Sequence, residues 1–196
     1  MKVVQVKCPA CNQGIIMKEK DTLFFCDKCN TMHIREGGIP EKIDYEIAEF
    51  NQSAKGERVY MPFWRLYTTF IVRSKNVEGG TLFKMSQWLK GGSDSGNMFI
   101  YIPAPDLDAA TFRKLSTMFT GAAPRYPTRL NFGGVRRMPG VLPKKMASQL
   151  ADFVVVTMEA EQPGVLQQLD YSLTVNDSKL VYLPFVITPQ GPMAAL

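Results

Sequence analysis

Four cysteines, Cys8, Cys11, Cys26 and Cys29, are the only ones in a chain of 196 residues, and they stand as two Cys-x-x-Cys pairs with 14 residues between them. No other feature constrains the fold as tightly. Each pair forms a tight knuckle that aims two thiolates at one point, and two knuckles complete a tetrahedral shell of four sulfurs with metal–sulfur distances near 2.3 Å. Residues 1–7 show no apolar leader and no cleavage site, so the pattern reads as a metal site rather than as two disulfides. Pro9, inside the first knuckle, has the fixed φ that suits a turn.

Zinc is the expected metal, in a structural role, because four thiolates leave no open position for a substrate or an activating water. Iron also takes sites of four sulfurs. The second knuckle, Cys26-Asp27-Lys28-Cys29, lacks the proline and following glycine associated with rubredoxin-like iron modules, so iron ranks second. His33 is the single histidine and reads as a residue of the strand after the second knuckle, since the shell is already complete. The residues between the knuckles suit a hairpin: Gly14–Lys18 and residues 23–25 as strands, Glu19-Lys20-Asp21 as the turn, with Thr31–Arg35 as a third strand.

Residues 6–36 resemble the zinc ribbons of transcription factors and of many small bacterial proteins, on the strength of the Cys-x-x-Cys-Asn and Cys-Asn-Thr-Met-His stretches. The whole chain is similar in outline to bacterial proteins in which such a ribbon precedes a β-rich region with recurring Tyr-x-Pro-Phe segments. The resemblance implies a ribbon fold and a zinc ion. Ribbons bind DNA, RNA or protein in different proteins, so it implies no activity.

Beyond a ribbon over residues 1–36 and a linker at residues 37–40 (Gly37-Gly38-Ile39-Pro40), an α+β domain is expected over residues 41–187, followed by a tail over 188–196. Residues 41–50 alternate as a half-exposed strand. Three segments echo one another: Val59-Tyr60-Met61-Pro62-Phe63-Trp64, Ile100-Tyr101-Ile102-Pro103-Ala104 and Val181-Tyr182-Leu183-Pro184-Phe185. Their β-branched and aromatic content predicts strands, and each proline belongs at a strand end, an edge or a bulge. Helices are predicted over residues 107–120, capped by Asp106 or Asp108 and ended by Gly121, and over 143–160, closed by Gln162-Pro163-Gly164. Strands over 171–175 and 179–187 are joined by a predicted hairpin turn at Asn176-Asp177-Ser178. The fold class is thus an N-terminal zinc ribbon of three short antiparallel strands plus a mostly antiparallel sheet packed with two helices.

A hydrophobic fraction of 45% is enough for a packed core and argues against disorder. No apolar run approaches the length of a membrane span, and a cytoplasmic location is expected. The net charge of +5 is unevenly spread. Arg113, Lys114, Arg125, Arg129, Arg136, Arg137, Lys144 and Lys145 fall in a stretch without any acid, whereas residues 152–196 are acidic. Such a stretch suits an anionic partner, unless the acidic segment packs beside it.

The cysteines are committed to metal, the histidine lies in the ribbon, and no phosphate-binding loop is present. Gly79-Gly80, Gly91-Gly92 and Gly133-Gly134 read as turns, and residues 91–97 as a loop tip. Phe63-Trp64-Arg65-Leu66-Tyr67 is apolar on both faces, the mark of a core strand rather than of a base-stacking platform. The expectation is a non-enzymatic protein-interaction or assembly factor, with no small-molecule substrate. The alternative is a nucleic-acid binder in which Arg125, Arg129, Arg136, Arg137, Lys144 and Lys145 contact phosphates. Peripheral attachment to an anionic membrane through the same residues ranks third.

Overall fold

The computed structural model describes residues 2–36, 38–78, 95–160 and 165–196, with backbone alone for 74–78 and 165–169. Among the described residues the fold is α+β, with two helices, two small antiparallel sheets at the N-terminus and a larger mixed sheet. The glycine pairs at 79–80 and 91–92 and the helix-closing residues 162–164 lie outside the described residues.

The N-terminal module is two hairpins. β1 (Val3–Lys7) pairs with β2 (Gly14–Lys18), and β3 (Leu23–Cys26) pairs with β4 (Thr31–Arg35), which also pairs with β5 (Pro40–Ile43). The three expected strands are present, but β2 and β3 join different ladders instead of forming a hairpin with each other. The reason is local: each Cys-x-x-Cys-Asn knuckle is itself the turn of a hairpin, so each strand pairs across its own knuckle. The expected linker is also a turn. Arg35 pairs with Pro40 across it, Gly38 takes φ 106°, a value that suits glycine, and β5 runs on into the large sheet.

β6 (Tyr45–Ala48) enters that sheet beside β11 (Val165–Thr188), which pairs along its length with β7 (Glu57–Glu78). β8 (Ser95–Pro103) flanks β7, and β9 (Thr128–Arg129) flanks β6. β10 (Arg136–Arg137) lies parallel to β7, and β6 lies parallel to β11. The predicted turn at residues 176–178 is not a turn. β11 passes straight through it, with a register shift between Val175 and Asp177. Asn176, Asp177 and Ser178 suit a bulge as well as a turn. Asn176 Nδ2 donates to Thr69 Oγ1 on β7 and so ties the two long strands together, while Asp177 accepts from the Ser178 backbone within β11. Nor are residues 188–196 all tail: β12 (Gly191–Ala194) pairs with the end of β11.

The three echoing segments are neighbours in space. Pro103 ends β8, as a residue without an N–H should. Pro62 and Pro184 sit inside strands, where a partner changes. On one side of β7, β10 pairs at 59–60 and β8 from Phe63 onward; on one side of β11, β6 pairs at 180–182 and β12 from Phe185 onward. Each proline places its missing donor in the gap between two partner strands.

α1 (Ala109–Gly121) is capped by Asp108, whose carboxylate accepts from Thr111 N. It lays Leu115 and Phe119 on one face of the sheet, against Met61, Phe63, Val181 and Phe185. α2 (Lys144–Ala160) covers the other face with Ala147, Ala151, Val154 and Met158, packed on Trp64, Leu66, Ile100 and Leu180. Leu23, Met32 and Ile34 of the N-terminal module join this second core. Trp64 is buried there and donates through Nε1 to Leu142 O at 2.9 Å, in keeping with a core strand. No helix among the described residues is long and apolar enough to cross a membrane.

Candidate metal centre and basic segment

The two knuckles share one backbone device. Asn12 and Asn30, each directly after the second cysteine of its pair, take φ 60° and 53°, a left-handed conformation that asparagine tolerates better than most residues. This turns the chain back into β2 and β4 while leaving both sulfurs of each knuckle pointing inward. Around the first knuckle, Cys8 N donates to Gln13 O and Asn12 N to Cys8 O, both at 2.8 Å.

The four sulfurs all lie within 4.8 Å of one another, with Cys8 to Cys29 at 3.6 Å and Cys11 to Cys26 at 3.5 Å. A tetrahedral shell with 2.3 Å bonds has sulfur–sulfur edges of about 3.8 Å, so the cage is of the right size for a metal ion. The shortest of these separations far exceeds a disulfide bond, and all four cysteines are free thiols. Burial pushes the Cys8 thiol up, but the backbone N–H groups of Cys11 and Ala10, with the neighbouring thiols, bring it down to about 5. At Cys11 the Gln13 N–H pulls down, yet burial and the sulfurs of Cys26, Cys29 and Cys8 push it up to about 12. One thiolate therefore forms readily and discourages the next, a charge conflict that a divalent cation at the centre removes. The cluster is compatible with a zinc ribbon.

His33, read from the sequence as a strand residue, is on β4 and fully buried, but it also faces the sulfurs. Its Nε2 lies 3.3 Å from Cys8 Sγ and 2.8 Å from Thr31 Oγ1, and Thr31 Oγ1 lies 2.9 Å from Cys29 Sγ. Strand alternation carries part of the signal: Thr31 and His33 share one face of β4, which starts directly after the second knuckle.

The basic residues are engaged within the fold to different degrees. Arg137 lies over the rings of Phe25 and Phe132, at 4.6 and 4.8 Å, and pairs with Asp27 of the second knuckle at 3.1 Å. Arg136 pairs with Glu57 at 2.9 Å. Arg129 is half-buried on β9, paired with Ile47 and beside Tyr60, whose hydroxyl donates to Ala48 O. The side chains of Arg125, Lys144 and Lys145 are exposed, and the Lys144 backbone N–H donates to Glu36. Among the described residues, Arg137 and the Lys144 backbone meet acids of the N-terminal module and Arg136 meets Glu57 of β7, where the sequence points to the acidic C-terminal segment. Between module and sheet lies a cleft of about 610 Å³ lined by Glu36, Glu41, Asp44, Asp177 and Lys144, among others. No cysteine or histidine lines it.

No family model, no curated protein and no solved structure matches the chain.

Proposed function

We propose that the four-cysteine cluster is the centre of a structural zinc ribbon, and that the protein is a non-enzymatic, cytoplasmic assembly factor whose large domain docks onto a protein partner. Zinc is preferred to iron on the sequence of the second knuckle, and a shell of four thiolates leaves the ion no open position. Reduced cysteines of this kind fit the cytoplasm.

The observation that carries the docking reading is an apolar stripe on the outer side of α2. Met146, Phe153 and Val156 are 50%, 53% and 41% exposed and recur at helical spacing, while Ala147, Ala151 and Val154 of the same helix face the core. A surface stripe of this kind, opposite a fully used core face, is what a partner's apolar surface covers. The nucleic-acid reading is weakened chiefly by Arg137, since a guanidinium held over two rings by a carboxylate is poorly placed to meet a phosphate. The same holds for the membrane reading.

Crosslinking of the tagged protein in its own cells, compared with a Phe153→Asp, Val156→Asp variant, tests this. A stoichiometric protein captured by the wild type and lost by the variant, at unchanged zinc content, is the expected result. Equal capture by both, or affinity for a labelled nucleic acid that falls steeply with salt, contradicts it.

A further inference from the structure

We propose that His33 is a positioning residue of the metal site, acting through Thr31 as a hydrogen-bond relay onto sulfurs of both knuckles. The inference rests on the metal-site reading above and assigns a role to two residues that are not ligands.

A metal ion on the sulfurs sets the direction of each bond. A metal-bound thiolate only accepts, so the Thr31 hydroxyl, 2.9 Å from Cys29 Sγ, donates its proton to that sulfur. Its oxygen then accepts from His33 Nε2 at 2.8 Å, so the imidazole proton sits on Nε2. Cys8 Sγ, 3.3 Å from the same nitrogen, shares that proton. His33 Nδ1 is buried with no hydrogen-bond partner among the described residues, which agrees with an unprotonated acceptor better than with a stranded N–H. The ring is held in plane by Phe24, its cross-strand neighbour, stacked at 5.1 Å and 23°.

The relay spans the joint between the hairpins: Cys8 belongs to the first knuckle, whereas Cys29, Thr31 and His33 belong to the second. A donor shared in this way draws charge from two sulfurs, orients the Cys8 side chain and lowers its reactivity toward oxidants and alkylating agents. A phenylalanine would fill the same space against Phe24, so packing alone does not call for a histidine.

The test uses the full chain. His33→Phe keeps the stack and removes the donor. Loss of zinc affinity by about 10-fold or more is expected, with faster alkylation of Cys8 and a shifted sulfur-to-metal absorption band in the cobalt-substituted protein. Thr31→Val, which removes only the hydroxyl, should show a smaller change of the same kind, and His33→Gln should recover part of the loss. In the unmodified protein loaded with cadmium-113, a scalar coupling between the metal and the His33 Nε2 proton is expected. This measurement decides the matter if a variant fails to fold. A His33→Phe variant matching the wild type in affinity and absorption, or a loaded wild type protonated at Nδ1 with no coupling, overturns the relay. A wild type that takes up neither zinc nor cadmium overturns instead the metal reading on which the relay rests.

Discussion

The two knuckle hairpins begin from nearly the same local sequence and end in opposite environments. Both read Cys-x-x-Cys-Asn, and both turn through a left-handed asparagine. The second hairpin, β3–β4, is built into the molecule. Leu23, Met32 and Ile34 belong to the core under α2, Thr22 N and Leu23 N donate to Gly140 O, and Asp27 holds Arg137. The strands of the first hairpin, β1 and β2, alternate between exposed and half-buried residues, with Val3 53% and Ile16 76% exposed, and outside the knuckle they bury only Met17. An isolated two-stranded hairpin is marginal in water. The difference points to where a bound metal would matter: the second hairpin is held by packing, and the first would be held chiefly through Cys8 and Cys11.

Four measurements break or sharpen this contrast, from the largest effect downward. Removal of the metal by a chelator, or the Cys26→Ser substitution, should free β1–β2 almost completely, with amide protection over residues 3–18 falling to that of an unfolded peptide while β7 and β11 stay protected. Protection lost equally in both hairpins would mean that packing does not hold the second. Next comes a matched pair. Ile34→Ala should cost about 2–4 kcal/mol in urea unfolding of the loaded protein, whereas Ile16→Ala should stay within about 0.5 kcal/mol. Gly140→Ala probes the seam directly, because a Cβ there would run into Leu23 Cδ1. Overpacking of this kind costs about 1–3 kcal/mol, and the loss should appear in β3–β4 exchange rather than in metal affinity. Arg137→Ala should cost about 1–2 kcal/mol, chiefly from the guanidinium stacked on Phe25 and Phe132. Arg137→Lys should recover less than half, since a lysine lacks the planar group.

Much of this is legible in the sequence because its determinants are local. Cysteine spacing marks the cluster, Asp108 and Pro143 mark the starts of the helices, and the apolar pattern of Phe63–Tyr67 marks a core strand. What the sequence hides depends on partners far along the chain. Asn176-Asp177-Ser178 satisfies the chemistry of a turn and of a bulge alike, and only the length of β7 opposite makes it a bulge. The pairing of β2 with β1 rather than β3 turns on Val3–Lys7, because a short strand on either side of Gly14–Lys18 could serve as its partner. The basic stretch resembles a free surface because Asp27 and Glu57, which meet Arg137 and Arg136, are 110 and 79 residues away. His33 escapes notice because a completed shell hides the groups that support it.

The central claim is that one metal ion in the four-cysteine cage holds the exposed hairpin to a packed remainder. Native mass spectrometry coupled to hydrogen exchange, before and after chelation, tests it most directly. The account predicts one zinc per chain, lost together with protection over residues 3–18 and regained on adding zinc back. A chain that carries no metal, or one whose first hairpin keeps its protection after the metal is gone, would contradict it.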